Sequence, residues 1–456
     1  MNGFYSNDAS QRDATHSYGV RQDCCGRPGF TLIELLVSAA IAMSVMGVVA
    51  SLFALFGRSA SNGQSIVDMS GRMRTAADKL SQDLKGLTVR LLPPANPESA
   101  TGYFELIEGP VNDAKSSQGD CDDTLLFTTR STTRPFVGRY NSSQLESPVD
   151  SSQLESPVAE VAWFSKASPT QVVSGLTLYT IYRRQLLVTA YVGAEPFFVN
   201  GRDTNNQIVG VLPAAYNNYD LSLRVDPVTS ALVPNSLADL TRRENRFCHS
   251  GVPPVFSSIS SSSVFDSNSG REGEDVVLTN VLAFDIRVFD PKAPTRVSSV
   301  TTPASGSTPS TTVNTVIYPT DPGWEAGTVA VAPAPSIVGG FVDLGTGSGT
   351  TQGSATNTTQ TSVLTSPSSN APFVTTYDTW STHYESNGID EDGDNIVDRG
   401  TNGVDDNNDL APDDPSEAEY PPPYAVPLRG IEVRIRCYDP SSKLVRQVTV
   451  RQIFSR

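Results

Sequence analysis

The strongest constraint on the fold of this 456-residue chain is an unbroken apolar run at residues 30–56, FTLIELLVSAAIAMSVMGVVASLFALF. The run carries one charge, Glu34, near its start. The 22 uncharged residues from Leu35 to Phe56 would form about 33 Å of helix, which matches a hydrocarbon core of ~30 Å. A helix that is apolar on every side has no face to show water. The run therefore predicts a transmembrane helix at residues 30–56.

The residues before the run predict a leader that is removed. They are polar, and the junction Gly29-Phe30 lies before the apolar run. A secretory signal has its cleavage site after its apolar region, so cutting at this junction instead would leave the run as the new amino terminus. Arg21 and Arg27 on the leader side suit a cytoplasmic amino terminus. We expect a leader at residues 1–29.

The segment from Gly29 to Val37, GFTLIELLV, resembles the processing site of type IV pilins and type II secretion pseudopilins. The resemblance implies that a prepilin peptidase cuts after Gly29 and methylates the new amino-terminal Phe30. It also implies that Glu34 neutralises the terminal amine of a neighbouring subunit during assembly. A carboxylate within lipid costs ~2.5–3.5 kcal/mol and is usually paired. The alternative is a glutamate near the interface that tilts toward the head groups.

A second helical pattern follows the membrane segment. Apolar residues recur at three- and four-residue steps from Gln64 to about Leu92. This spacing predicts an amphipathic extension at residues 57–94, with Asp78 and Asp83 on its polar face. Pro93-Pro94 ends the pattern, because proline cannot continue a helix. By resemblance, a long helix half in lipid and half packed on a sheet is the pilin plan.

Beyond Pro94 the chain is rich in β-branched and aromatic residues. In residues 431–452 apolar and polar side chains alternate, which predicts a sheet with one buried and one exposed face. The predicted fold class is α+β, a long N-terminal helix packed on an antiparallel β-sheet. The closing strands resemble those of the J-type minor pseudopilin.

Composition divides the remainder into four parts: a β-rich domain (95–297), a low-complexity insertion (298–372), an acidic segment (373–419) and a C-terminal β-hairpin (420–456). Ser, Thr, Gly and Pro dominate the insertion and bury little surface. The tandem copies SSQLESPVD and SSQLESPVA at residues 142–159 predict a loop, since loops tolerate added length.

The acidic segment predicts a calcium site. The chain has a formal net charge of −16, and residues 387–419 hold twelve acidic residues and one base, Arg399. Oxygens at every second residue of a tight loop can converge on one hard cation, as in EF-hand loops. Two such units occur 15 residues apart, and their candidate ligands are Asp390, Asp392, Asp394 and Asp398, then Asp405, Asn407, Asp409 and Asp413.

These units depart from an EF-hand. Asn395 stands at the position of the sharp-turn glycine, although asparagine tolerates the left-handed conformation. Thr401 stands where a closing glutamate would be, and no helical pattern flanks either unit. The expected role of Ca²⁺ is structural. The alternative is a solvated acidic linker.

No catalytic motif is present. The sequence has no HExxH, GxSxG or GxxxxGK[ST] pattern, and only His249 and His383 would remain after removal of the leader. Short basic spots in an acidic chain argue against nucleic-acid binding. Cys121, Cys248 and Cys437 allow one disulfide, with pairing undetermined. The sequence predicts neither an enzyme nor a nucleic-acid partner.

The sequence therefore predicts a structural subunit of a pilin-like filament, serving type II secretion or a type IV pilus. Its expected partners are the prepilin peptidase, other pilin-like subunits and membrane lipid. The expected location is the bacterial cytoplasmic membrane, crossed once, with the amino terminus cytoplasmic and the C-terminal domain periplasmic or extracellular. The alternative is a membrane-anchored, calcium-dependent surface binding module that does not polymerise.

Overall fold

The structure is a computed structural model, and most of the chain after the leader is described. The described residues are 29–109, 119–141, 151–173, 175–189, 215–216, 219–226, 228, 232–250, 255–256, 271, 273–302, 310–321, 323–324, 327–329, 336–345, 364 and 375–454. The predicted leader before Gly29, the first tandem copy and much of the predicted insertion lie outside these residues. The chain divides into two compact units, Met1–Asn62 and Gly63–Arg456.

Helical structure is dominated by one long element. The longest α-helix among the described residues is α1 (Leu32–Lys85, 54 residues), and Ala215 and Tyr216 are also α-helical. Short 3-10 helices lie at Pro97–Ser99, Asp239–Thr241, Arg243–Asn245, Thr382–Glu385 and Arg399–Thr401.

The described strands follow from residue 104 to the C-terminus. They are β1 (Phe104–Ile107), β2 (Thr124–Arg130), β3 (Phe136–Asn141), β4 (Ser151–Ser156), β5 (Val158–Val173), β6 (Leu176–Leu187), β7 (Leu223–Val225), β8 (Leu232–Pro234), β9 (His249–Ser250), β10 (Val255–Phe256), β11 (Val276–Asp290), β12 (Arg296–Thr302), β13 (Thr311–Ile317), β14 (Thr328–Val329), β15 (Gly340–Val342), β16 (Thr376–Asp378), β17 (Gly430–Tyr438) and β18 (Val445–Ile453).

One large antiparallel sheet organises the second unit. Its strand order is β16-β1-β2-β5-β6-β11-β17-β18, with β15 also paired to β11. The C-terminal hairpin places Ile435 opposite Val448, so the apolar side chains of both strands share one face. The predicted α+β class, with a long N-terminal helix and an antiparallel sheet, is confirmed.

The C-terminal half of α1 packs on one face of this sheet. Met73, Ala76, Leu80 and Leu84 are buried at helical spacing and belong to the largest apolar cluster. The sheet contributes alternate residues of its strands to the same cluster. Those residues include Leu125, Phe127, Val161, Trp163, Ile181, Phe284, Ile286, Val433 and Ile435. Burial of these two faces against each other fixes the helix on the sheet.

The second face of the sheet is covered where β1, β2, β5 and β6 lie, so the prediction of one exposed face is wrong there. Leu126 and Phe164 point away from α1 and pack with Leu240 and Phe247 in a separate buried cluster. In β2 all residues from Thr124 to Thr129 are buried. A continuous apolar run, rather than alternation, is typical of strands covered on both faces.

A buried ion cluster joins this covering segment to the sheet. Arg243 lies 2.5 Å from Glu105 and 3.0 Å from Asp378, and Arg246 lies 2.8 Å from Asp378 and 3.2 Å from Glu105. His249 Nε2 lies 3.1 Å from the Glu105 carboxylate. Burial alone would raise the pKa of Glu105, but the guanidinium group of Arg243, the contact with the His249 ring and the guanidinium group of Arg246 hold it well below its usual range.

Helix α1 ends earlier than predicted. It stops at Lys85, and Gly86 then passes so close to β2 that a Cβ there would lie 2.3 Å from the Arg130 carbonyl oxygen. Leu87 already bridges to Thr129. A glycine just after the last periodic residue is a helix-stop signal. The helix therefore ends before Gly86 and does not continue to Pro93-Pro94.

Asp83 is buried under the helix, whereas the sequence places it on the polar face. Its carboxylate accepts hydrogen bonds from Trp163 Nε1 at 3.0 Å and from Arg183 Nε and Nη2 at 2.6 and 2.9 Å. Lys79 Nζ lies 3.9 Å away. These contacts reach from α1 to β5 and β6, so they pin the helix at one position on the sheet.

We predict that Asp83→Ala lowers the free energy of unfolding by about 3 kcal/mol, because it leaves the buried Arg183 without its carboxylate. Chemical denaturation in detergent, followed by tryptophan fluorescence, measures this loss. The exposed Asp78→Ala, one turn earlier, is the matched control and should change stability by no more than about 0.5 kcal/mol. Equal effects of the two variants would contradict the pinning role of Asp83.

Three buried carboxylates meet between β1 and β2. Carboxylate oxygens of Glu108, Asp120 and Asp123 lie within 4.8 Å of one another. Arg287 pairs with Asp285 and Asp343 beside them. Burial, reinforced by mutual repulsion of the carboxylates, raises the pKa of Glu108 and Asp123 well above normal. The pKa of Asp120 rises to about 9, chiefly through burial and its contact with Asp122.

We predict that the second unit is less stable at pH 9 than at pH 5. A carboxyl whose pKa is raised by folding stabilises the folded state below its unfolded pKa and loses that contribution as pH rises through the folded value. Asp120→Asn removes one of the titrating carboxyls. The free energy of unfolding should therefore decrease less steeply with pH in this variant, by up to ~1.4 kcal/mol per pH unit, the slope that one proton contributes. Denaturation curves of both proteins from pH 5 to pH 9 test this, and parallel pH profiles would refute it.

Two segments predicted as loops contain strands. The second tandem copy begins with β4, which pairs with β3. The start of the predicted insertion forms the hairpin of β12 and β13, whose side chains are largely exposed. The polar composition of these segments correctly predicts that their side chains bury little surface. It does not predict that their backbones pair as strands.

The expected disulfide is absent among the described cysteines. Cys121 and Cys437 are buried thiols and Cys248 is half-buried. Burial raises the pKa of Cys121 and of Cys437 to about 12. Both thiols therefore stay protonated and unreactive near neutral pH.

Candidate functional site

The start of α1 is a reciprocal cap formed by Thr31 and Glu34. The Thr31 N–H and hydroxyl donate to Glu34 Oε2 at 2.9 and 3.0 Å, and the Glu34 N–H donates to Thr31 Oγ1 at 3.3 Å. This arrangement is a capping box, in which two side chains satisfy backbone groups at a helix start. Within this chain, Glu34 is thus held by its own helix terminus.

The helix that follows has no cover from the described residues of its own chain. Its large side chains are exposed on all sides, from Leu32 to Phe56. Polar groups are satisfied internally, since Ser44 and Ser51 donate to the carbonyls of Ala40 and Gly47 at 2.9 and 2.8 Å. Among the described residues, this is the one helix long and apolar enough to cross a membrane.

The second candidate site is the acidic segment, which forms two loops. We call residues 387–398 the first acidic loop and residues 402–413 the second acidic loop. Their hydrogen bonds recur with an offset of 15 residues. The recurring bonds run from Gly388 N to Asp398 and Gly403 N to Asp413, from Asp394 N to Asp392 and Asp409 N to Asn407, and from Ile396 N to Asp394 and Ala411 N to Asp409.

The first aspartate of each loop organises the turn. Asp390 accepts hydrogen bonds from the N–H groups of Asp394 and Asn395 at 3.2 and 2.8 Å. Asp405 accepts the corresponding bonds from Asp409 and Leu410 at 3.0 and 2.7 Å. These bonds wrap the backbone around the carboxylate.

Both loops use a left-handed residue at the same place. Asn395 has φ 72°, which agrees with its predicted role as the turn residue, and Leu410 has φ 75° in the second loop. A leucine in this conformation is uncommon. The backbone turn is thus retained in the second loop despite an unfavourable residue.

The predicted ligands fall into two groups. Oxygens of Asp390, Asp392 and Asp394 lie within 4.8 Å of one another. Asp398 instead accepts the N–H of Gly388 at 3.0 Å, and Asp413 accepts that of Gly403 at 2.8 Å. Asp398 and Asp413 therefore close the loops at their ends, and their role as ligands stays a prediction.

Two glutamates that sequence reasoning passed over lie against the loops. Glu419 Oε1 accepts the N–H of Glu391 at 2.8 Å, in the first acidic loop. Glu417 Oε1 accepts the N–H groups of Asp406 and Asn407 at 2.5 and 3.0 Å, in the second. The exposed fractions of Glu417 and Glu419 are 1% and 2%. Their burial in an otherwise acidic and exposed segment sets them apart, and the sequence offered only their alternate spacing.

The electrostatics of the first acidic loop are unbalanced. Arg399 lies 2.5 Å from Asp394 and 3.5 Å from Asp392, so one guanidinium faces several carboxylates. Burial raises the pKa of Glu391 to about 7, and the nearby Glu419 adds to the rise. The first acidic loop therefore concentrates more negative charge than the adjacent Arg399 offsets.

Aromatic side chains attach the acidic segment to the sheet. Trp380, Tyr384 and Tyr420 form a buried cluster at the two ends of the segment. Arg243 of the buried ion cluster lies 5.1 Å from the Trp380 ring, and its N–H donates to the Tyr384 hydroxyl at 2.8 Å. Glu385 accepts the N–H of Glu419 at 2.9 Å. Both ends of the segment are thus fixed to the same core.

Residues 26–50 match the family model of the prokaryotic N-terminal methylation motif. The match includes Gly29, Phe30 and Glu34 and ends within α1. The N-terminal segment therefore carries the prepilin-type cleavage and methylation motif that the sequence predicts. Neither a curated protein nor a solved structure matches the chain.

Proposed function

Because residues 26–50 carry the prokaryotic N-terminal methylation motif, we propose that this chain is a structural subunit of a pilin-like filament. The prepilin peptidase cuts after Gly29 and methylates Phe30. The mature subunit waits in the membrane and is then packed helix against helix with other pilin-like subunits. The observation that carries this proposal is the coincidence of the motif with an apolar helix that the described residues leave exposed.

The cleavage junction is open to an enzyme. No atom of the described residues lies within 4 Å of where a Cβ on Gly29 would be, and Phe30 is 87% exposed. The capped helix begins only at Leu32, so the bond between Gly29 and Phe30 lies in extended chain before it. This accessibility supports processing at this junction.

The apolar helix surface supports association in lipid. Ala42, Ala50 and Ala54 lie on one stripe, and Gly47 lies near Ser51. Small residues let helix backbones approach closely where lipid supplies no hydrophobic driving force. The run 30–56 lacks the helix-bending proline that major pilins often carry, which favours a minor subunit.

Glu34 changes partners in this proposal. In the single chain its carboxylate is held by Thr31 at the helix start. On assembly it pairs with the methylated terminal amine of a neighbouring Phe30. A carboxylate that already has a partner costs less in the membrane, and a charged amine is a stronger partner than an amide. The exchange therefore favours the assembled state over the waiting one.

The location and the machine follow from the same proposal. The subunit crosses the bacterial cytoplasmic membrane once, with its amino terminus cytoplasmic and residues after the helix periplasmic or extracellular. It serves type II secretion or a type IV pilus. The J-type assignment rests on the pattern of the closing strands alone and stays a prediction.

A second function has one observation in its favour. The acidic loops expose apolar side chains, including Val404 at 53% and Leu410 at 92%. Such a surface suits a membrane-anchored, calcium-dependent binding module that does not polymerise. The two functions differ in whether Glu34 matters for association.

We predict that Glu34→Leu abolishes assembly while leaving membrane insertion and processing intact. The substitution removes the charge that pairs with the neighbouring amine. Thr31→Ala is the matched control, because it removes the hydroxyl that bonds to Glu34 in the capping box and leaves the backbone N–H bond and the carboxylate. It should cost the helix start only ~1 kcal/mol and spare assembly. Assembly is measured by cross-linking in membranes and by recovery of sheared filaments.

Two outcomes would overturn the proposal. If both variants lose assembly to the same extent, Glu34 acts only as a helix cap. If Glu34→Leu associates as the unmodified chain does, the non-polymerising module is favoured instead. Unchanged amounts of each variant in the membrane fraction are required, so that loss of assembly is separated from loss of insertion.

A further inference from the structure

We propose that the acidic segment binds two calcium ions, one in each acidic loop, with Glu419 completing the first site and Glu417 the second. This inference goes beyond assembly, and it does not depend on it. It also changes the ligand set that the sequence alone would give, because both glutamates lie outside the loops that they complete.

The donors are those that a hard cation prefers. The first acidic loop brings together the carboxylates of Asp390, Asp392 and Asp394. The second presents Asp405, Asn407 and Asp409 at the corresponding positions. Neither loop contains histidine or cysteine, and oxygen-only sets on flexible loops suit Ca²⁺.

Buried oxygens without partners provide the independent observation. Oε2 of Glu417 and Oε2 of Glu419 are buried and accept no hydrogen bond. In each glutamate the other oxygen, Oε1, accepts the N–H of the residue after the loop's first aspartate. The Oε1 bonds place each glutamate carboxylate beside its loop. Leaving a buried charged oxygen unsatisfied costs more than a typical hydrogen bond contributes, so a ligand is expected there.

The repetition of this arrangement strengthens the assignment. Glu419 bonds to Glu391, directly after Asp390, and Glu417 bonds to Asp406, directly after Asp405. Two loops with the same internal bonds thus each receive one buried glutamate. A glutamate at the end of an EF-hand loop closes its calcium site in the same chemical sense, although it comes from within the loop.

The contacts of Arg399 show that the carboxylates of the first acidic loop attract a positive charge. Its guanidinium lies against Asp392 and Asp394 in the first acidic loop. The corresponding position of the second acidic loop, 15 residues later, is Asp414. Calcium in the first loop would therefore share or replace the contacts of Arg399.

The experiment uses the full chain in detergent micelles, stripped of metal with a chelator and titrated with CaCl₂ by calorimetry. We expect two bound Ca²⁺ per chain. Glu419→Gln and Glu417→Gln should each weaken one site at least tenfold and spare the other. Glu98→Gln, at an exposed glutamate far along the chain, is the matched control and should bind as the unmodified chain does. Asp120→Asn separates these sites from the buried carboxylates near β2.

Several results would overturn the inference. Absence of calcium binding at millimolar concentration refutes the sites, and equal affinity for Mg²⁺ refutes their calcium specificity. Unchanged binding in both glutamine variants refutes the role of the glutamates. If circular dichroism shows that a glutamine variant does not fold, Asp392→Asn and Asp409→Asn, at exposed positions, test the same two loops. Calcium binding that persists in Glu34→Leu shows that this inference and the assembly role stand or fall separately.

Discussion

The first half of α1 presents an apolar surface that the described residues of its own chain leave exposed. Residues 32–56 expose leucine, isoleucine, valine and phenylalanine side chains on every side of the helix. Water cannot solvate such a surface, whereas lipid and neighbouring helices can. The second half of the same helix meets the opposite condition, because its apolar stripe is buried by the antiparallel sheet. The cover that each half needs therefore differs, and the N-terminal motif lies on the half that needs a membrane.

The structure must also accommodate an excess of carboxylates, because the chain has 49 acidic residues against 33 basic ones. Asp83, buried under the helix, and Glu105, buried on the far side of the sheet, each form a salt bridge with an arginine. In the acidic loops backbone N–H groups take that place, and one arginine serves the first loop. Glu417 and Glu419 each keep a buried oxygen without a hydrogen bond, and this observation supports the proposed calcium sites.

Much of the fold was predictable from periodicity. The apolar run, the amphipathic stripe of α1 and the alternation in β17 and β18 each reflect one local pattern, and each has its predicted form. What depended on distant residues was not predictable. Asp83 is buried because Arg183, 100 positions later, reaches it. The second sheet face is buried because residues 232–250 return over it. Glu417 and Glu419 likewise lie against the acidic loops because the chain folds back after them, which the spacing of residues within the loops does not predict.

The mature amino terminus tests the central claim most directly. The protein is extracted from membranes of a cell that has a prepilin peptidase, and its intact mass and N-terminal sequence are determined. The account predicts a chain that begins at N-methylated Phe30 and needs detergent to leave the membrane. A chain that retains the residues before Phe30, or one found in the soluble fraction without detergent, would contradict it.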